Sequence, residues 1–225
     1  GFTPLTNAGL CNEPVMFTDA FAGRETYIPA CTFVAEDDAE SLIIPLKRAG
    51  NLILIEAIID SIPGNLIFDT GSGALLLNSM YFRKGRAAGE LIAGGVTGNT
   101  AAVTRSRVKQ MQISDLIFSN VETDLSDLGH LESARNIRVL GLVGLGLFGD
   151  METVIYLQNN VLELHRLNFR GNRLSPPDIQ HRPDIRIPVK IESGVVFLDA
   201  QIASRRLTFC LDTGSEINAL GNHLP

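Results

Sequence analysis

Two aspartates occur in the same tetrapeptide, Asp69-Thr70-Gly71-Ser72 and Asp212-Thr213-Gly214-Ser215. Each copy directly follows an apolar run, Leu66-Ile67-Phe68 in the first and Phe209-Cys210-Leu211 in the second. A carboxylate activates water for attack on an amide as a base, and the attack also needs an acid to protonate the carbonyl oxygen. Two aspartates about 3 Å apart meet both needs by sharing one proton, because they cannot both ionise at that distance. Their titration then belongs to the pair. The neighbouring residue types suit such a meeting. Glycine allows two backbones to turn tightly enough to approach each other. The threonine hydroxyl is placed to bond across to the opposing loop, and the serine hydroxyl to hold an outer carboxylate oxygen.

The interval from Asp69 to Asp212 is 143 residues. Shifting the chain by that amount aligns Ile44-Pro45-Leu46-Lys47 with Ile187-Pro188-Val189-Lys190, Ala57 with Ala200, Ile59 with Ile202, Ser61 with Ser204 and Leu77 with Leu220. Eleven of the 34 positions from Ile44 to Leu77 are identical without a gap. That is an internal repeat, and its best-preserved part is a carboxylate on a tight turn.

The elements that must carry these loops read as strands. From Ser41 to Leu77, apolar and β-branched runs are broken at Ala49-Gly50-Asn51 and at Ile62-Pro63-Gly64-Asn65. The second break is expected to be a turn that feeds Leu66–Phe68 straight into the Asp69 loop. Further strands are expected over Ala101–Gln110 and Ile113–Phe118. A hairpin is expected to turn at Asn159-Asn160, since Asn tolerates positive φ. Helical signal is confined to His130–Arg135 and the residues after Gly144. Residues 1–41 read as an arm that lies on the body. The polar, proline-bearing stretch 168–186 (Pro176, Pro177, Pro183) reads as a linker, placed where the repeat demands a boundary.

With 225 residues, 45% of them hydrophobic, the chain has ample core-forming material. Its net charge of −6 and lack of a basic block argue against nucleic acid or an anionic membrane as partner. No apolar run approaches the roughly 20 residues that span a bilayer. Three cysteines give no metal-ligand spacing, and no cofactor motif is present. Cys11 and Cys31 are able to pair if the protein is exported, while Cys210 reads as a small buried hydrophobe. The four histidines, His130, His165, His181 and His223, are scattered and read as solvated or satisfied. The stretch Arg105-Ser106-Arg107-Val108-Lys109 reads as the solvated face of an edge strand.

The run Phe68-Asp69-Thr70-Gly71-Ser72-Gly73 resembles the active-site loop of the aspartic proteases, the clan of pepsins and retroviral proteases. Leu142-Val143-Gly144, whose glycine falls 75 residues after Asp69, resembles the two-hydrophobes-then-glycine element behind that loop. Gly94-Gly95-Val96-Thr97-Gly98 resembles the glycine-rich flap of retropepsins, with an ordinary hairpin as the lesser alternative for Gly95 and Gly98. The overall order looks most like the bacterial retropepsin-like proteins that carry two such repeats. The resemblance implies a mainly β fold: a retropepsin-like (acid protease) closed β-barrel lobe over 42–167, followed by the first part of a second, truncated lobe over 187–225.

It also implies an aspartic endopeptidase acting on a peptide or protein substrate. The dyad would be Asp69 with Asp212, or Asp69 with Asp69 of a second chain. Thr70, Gly71, Ser72, Thr213, Gly214 and Ser215 would support it, Gly95, Val96, Thr97 and Gly98 would lie over the substrate, and Leu142, Val143 and Gly144 would serve as architecture. No cofactor or metal is implied, and an extracytoplasmic location is. The chain departs from the pattern in two ways. The flap lacks the tyrosine of pepsins. The second repeat has neither flap nor glycine element, so truncation is expected over a vestigial copy, with a homodimer through the incomplete lobe as one consequence. A catalytically inactive peptide-binding or assembly module with the same fold is the reading from a different class.

Overall fold

The computed structural model describes residues 2–4, 15–17, 32–35, 40–82, 90–94, 100–133, 136–149, 151–174 and 185–221. Three short strands come from the N-terminal segment: β1 (Phe2–Pro4), β2 (Val15–Phe17) and β3 (Thr32–Ala35). Each pairs with a strand from much later in the chain.

Strand β4 (Ser41–Ala49) alternates outward and inward residues, burying Leu42, Ile44 and Leu46. A turn at Gly50, with φ +63°, leads to β5 (Leu52–Ile59). Leu52, Ile53, Leu54 and Ile55 are all buried because both faces of this strand are covered. Ile53, Ile55, Ala57 and Ile59 enter the main core, while Leu52 and Leu54 meet Ile67 and Val139 in a smaller one on the opposite face.

The turn after β5 lies at Asp60-Ser61 and not at Ile62–Asn65. Both turn residues take positive φ, +45° and +69°, and the Asp60 carboxylate accepts the N–H groups of Lys109 (2.9 Å) and Gln110 (3.0 Å). Strand β6 (Ile62–Phe68) therefore runs through Pro63 and Gly64. Pro63 is tolerated because it lies before β6 acquires its second neighbour, which begins at Asn65. Gly64 is there for packing: a Cβ would stand 2.6 Å from Cγ of Leu140.

After β6 come β7 (Leu76–Asn78), a single helical turn α1 (Ser79–Phe82), β8 (Glu90–Gly94), β9 (Thr100–Ile113) and β10 (Leu116–Ser126). Ile113 ends β9 instead of opening the next strand, because Ser114, at φ +49°, turns the chain immediately after it. Helix α2 (Gly129–Ser133), β11 (Val139–Val143) and a 3-10 turn at Leu145–Phe148 follow. The hairpin of β12 (Met151–Tyr156) and β13 (Val161–Arg166) ends the lobe, with Asn160 at φ +52° in its turn.

The pairings β5–β6, β6–β11, β11–β7, β7–β10, β10–β9 and β9–β5 close on themselves, making a barrel. The fold is thus mainly β, with one closed barrel lobe. Its basic stretch is solvated as expected, and Arg105–Val108 pair with β10 alone, since β8 stops at Thr104 and β5 joins at Met111. Arg107 there meets Glu122 at 2.6 Å.

Beyond the lobe, residues 168–174 fold back on it. Leu167 bridges Arg173, whose guanidinium pairs with the buried carboxylate of Glu152. His165 is buried rather than solvated, with Nε2 3.3 Å from Glu163. The second copy then gives β14 (Val189–Glu192), β15 (Val195–Ile202), β16 (Arg205–Leu211) and β17 (Ala219–Gly221).

The repeat extends to strand register. Leu46 faces Ile55 as Val189 faces Leu198, and Leu54 faces Ile67 as Phe197 faces Cys210. What is not repeated is the covering. Ile44, Leu46 and Ile59 are 2%, 6% and 0% exposed, whereas Ile187, Val189 and Ile202 are 56%, 41% and 38% exposed. Among the described residues of the second copy only Val195 and Val196 are buried, and Val196 joins the main core of the first lobe.

Candidate active site

Strands β6 and β11 lie parallel, with Ile67 opposite Leu142 and Phe68 opposite Val143. The chain leaves β6 at Asp69, whose N–H donates to the carbonyl of Val143 at 2.9 Å. The next residue on β11's side, Gly144, passes so close to the loop that a Cβ would lie 1.8 Å from the carbonyl oxygen of Ser72. Leu142, Val143 and Gly144 are therefore a buttress: Val143 is buried in the main core and Leu142 packs on the smaller one.

The two tetrapeptides meet around an approximate twofold relation. The N–H of Thr70 donates to Oγ1 of Thr213 at 3.0 Å, and the N–H of Thr213 donates to Oγ1 of Thr70 at 3.1 Å. Each hydroxyl passes its own proton onward, Thr70 to the carbonyl of Leu211 (2.6 Å) and Thr213 to the carbonyl of Phe68 (2.7 Å). Four hydrogen bonds thus tie the ends of β6 and β16 together. Thr70 is wholly buried in the process.

Each aspartate keeps its carboxylate in place through its own loop. Oδ1 of Asp69 accepts the N–H of Gly71 at 2.8 Å, and Oδ1 of Asp212 accepts those of Gly214 and Ser215, both at 2.9 Å. Gly71 and Gly214 face the opposite acid. A Cβ on Gly71 would stand 2.7 Å from Cγ of Asp212, and one on Gly214 would stand 2.5 Å from Cγ of Asp69. No side chain larger than hydrogen fits at either position without pushing the carboxyl groups apart. The serines differ from expectation. Ser72 Oγ donates to the carbonyl of Ala74 (2.9 Å) and Ser215 Oγ to that of Ile217 (2.8 Å), because each hydroxyl reaches its own backbone two residues on.

The two loops thus bring the carboxyl groups of Asp69 and Asp212 close enough to act on each other. Asp69 is pushed up to about 7, first by burial and then by the negative charge of Asp212. The N–H groups of Gly71 and Gly214 pull the other way but do not prevail. Near neutral pH the pair thus holds one proton across two acids, an arrangement able to supply a base and an acid at the same point. Cys210 stands behind Asp212 as a protonated thiol, pushed up to about 11 by burial and then by Asp212 and Asp69. Among the described residues no group of three His, Cys, Asp or Glu side chains stands together as a metal site would require.

The sequence singles out the tetrapeptides but misses what docks the second copy. The carbonyl of Ser193 and residue Gly194, φ +80°, press on Gly73, where a Cβ would come within 1.8 Å of that carbonyl. In the related contact Asn51 Nδ2 donates to the carbonyl of Glu216 at 3.0 Å. These contacts join positions 73 and 216 to the turns at 193–194 and 50–51, all related by the 143-residue shift. The signal was available, since Gly50-Asn51 and Ser193-Gly194 are both turn dipeptides at the repeat interval. Asn78, fully buried, is a further structural residue that the sequence reading does not single out. It donates to the carbonyl of Val139 (3.1 Å) and accepts the N–H of Met80 (3.1 Å), fastening β7 to β11.

Gly95, Val96, Thr97 and Gly98 lie outside the described residues, as do Cys11, Cys31, His181 and His223. The strands on either side of the glycine segment pair antiparallel, with Gly94 opposite Thr100.

No protein-family model matches this chain, and no curated protein matches it in sequence. Among solved structures, a retropepsin-like aspartic protease from Rickettsia conorii is similar to it. The two are 16% identical, the match covers 63% of this chain and 97% of that one, and the TM-score is 0.38.

Proposed function

We propose that this chain is an aspartic endopeptidase of the retropepsin-like, two-repeat kind, acting on extended peptide or protein segments. The observation that carries the reading is the meeting of the Asp69 and Asp212 carboxyl groups inside a closed ring of threonine hydrogen bonds. Because Asp212 of the same chain fills the position beside Asp69, a dyad made from Asp69 of two chains is the weaker variant.

In the proposed reaction a water between the carboxyl groups loses a proton to the ionised acid as its oxygen bonds to the scissile carbonyl carbon. The protonated acid gives its proton to the carbonyl oxygen, and a tetrahedral diol forms. The C–N bond then breaks as the nitrogen takes the proton now held on Asp212, and one diol hydroxyl returns its proton to Asp69 as the carbonyl re-forms on the new carboxyl product, which restores the dyad. Asp69 is the acid, because burial and its neighbour's charge hold the proton on it. Asp212 is the base, its Oδ1 held in place by the N–H groups of Gly214 and Ser215. The Cys210 thiol, protonated and behind the carboxylate, has no step in the reaction.

The test is cleavage of a diverse denatured-peptide pool across pH 3 to 8. Asp69 retains its proton below about 7, and above that it no longer has a proton to give to the carbonyl. The rate should therefore hold up towards neutrality and then fall roughly tenfold per pH unit. No cleavage at any pH, with the fold intact by circular dichroism, would favour the non-catalytic peptide-binding reading.

A further inference from the structure

The two aspartate loops are alike in backbone and unlike in one side chain that they present. Five residues after each acid, a carbonyl is held by the serine of the tetrapeptide. Ser72 Oγ donates to Ala74 at 2.9 Å, and Ser215 Oγ donates to Ile217 at 2.8 Å. Positions 74 and 217 are related by the same shift of 143 residues. Ser215 also gives its N–H to Oδ1 of Asp212 at 2.9 Å, so one residue fixes both the carboxyl group and Ile217. Ala74 is exposed although its lobe is a closed barrel, while the next residue, Leu75, enters the core. Exposure is therefore a property of this position in the loop. The 60% exposure of Ile217 is not merely a result of the thin covering of the second copy.

We propose that Ile217 sets the side-chain preference on the Asp212 side of the dyad: an apolar side chain of the bound peptide packs on it, and Ala74 leaves the twofold-related position on the Asp69 side without that contact. The inference rests on the reading that an extended peptide crosses the dyad. A peptide has no twofold axis of its own, so a nearly twofold site needs a difference between its halves to fix the direction of the chain. Here the threonine and serine hydrogen bonds of the two loops match, and the difference lies in the side chains that follow. The preceding pair, Gly73 and Glu216, also differs, but Glu216 turns Oε1 towards Gly50, where a Cβ would stand 3.5 Å from it. Ile217 is left as the open apolar surface. Packing an apolar side chain on it removes surface from water on both partners. A charged side chain in the same place would lose hydration and gain no partner.

The test uses peptides that cannot be cut, so it stands or falls separately from the proposed hydrolysis. Short peptides with a reduced central bond, CH2–NH in place of the amide, are randomised one position at a time. They are selected on the full chain, and the bound ones are sequenced by mass spectrometry. The parent should enrich Leu over Asp about tenfold at one position on one side of the central bond. In Ile217→Ser that enrichment should fall to a factor of about two. A second variant, Ala74→Ile, should keep it and add a like enrichment at the position equally far on the other side. Ile217→Ser with the enrichment intact, Ala74→Ile without a gain on the opposite side, or a parent that enriches at no position would overturn the proposal. The expected selection in a chain that cleaves no ordinary peptide would support this inference and refute the hydrolysis alone. Cleavage accompanied by no effect of position 217 on selection would refute this inference alone.

Discussion

Asp69→Asn should leave the protein folded and reduce peptide cleavage by about three to four orders of magnitude, near the upper range for losing positioned acid–base chemistry. The substitution keeps the carbonyl oxygen that accepts the Gly71 N–H, so the loop retains its anchor. What it removes is the proton that Asp69 shares with Asp212. The amide can neither hold that proton nor release it to a scissile carbonyl. Asp212→Asn should be equally inert, since the pair and not either member does the work. The measurement is kcat/KM on a single cleaved peptide, with thermal unfolding run alongside. A variant at either position that cleaves as well as the parent would remove the dyad from the account.

The second large effect concerns the threonines, and it is unequal in an unexpected direction. Thr213→Val should cost more stability than Thr70→Val, although Thr70 is the more buried of the two. What decides the cost is the pair of backbone groups left without a partner. Removing the Thr213 hydroxyl orphans the N–H of Thr70 and the carbonyl of Phe68, which belong to wholly buried residues. Removing the Thr70 hydroxyl orphans the N–H of Thr213 and the carbonyl of Leu211, on half-buried residues that water can reach. At about 1–3 kcal/mol for each buried unsatisfied group, Thr213→Val should lose about 3 kcal/mol and Thr70→Val about 1. Urea unfolding of both variants checks the order. Equal losses, or the reverse order, would show that the four bonds do not form the closed ring described.

Much of this site is legible in the sequence. A carboxylate, a hydroxyl and a glycine recurring after two apolar runs constrain backbone, charge and hydrogen bonding together, and such patterns survive being read along one dimension. The same holds for the strand register, because an ungapped shift of 143 carries each inward residue onto another. The errors came where a residue type has two uses. Pro63-Gly64 reads as a turn in sequence, yet Pro63 lies where its strand has a single neighbour and Gly64 makes room for Leu140. The actual turn used Asp60 and Ser61, with positive φ stabilised by a carboxylate that caps N–H groups some fifty residues away. Nothing local announces such a partner. The serine hydroxyls were misplaced for a related reason: a short side chain meets its own backbone before it reaches a neighbour. Closure of the barrel through β5 and β9, and the contrast between buried Ile59 and exposed Ile202, depend on which surfaces meet, which pattern alone does not encode.

The most direct measurement is a carbon-13 titration of the aspartate carboxyl groups by NMR, in the parent and in Asp212→Asn. The account predicts that the Asp69 signal shifts with a midpoint of about 7 and that this midpoint drops when the charge at position 212 is removed. An Asp69 carboxyl that titrates near the ordinary value of 3.8, indifferent to residue 212, would contradict it.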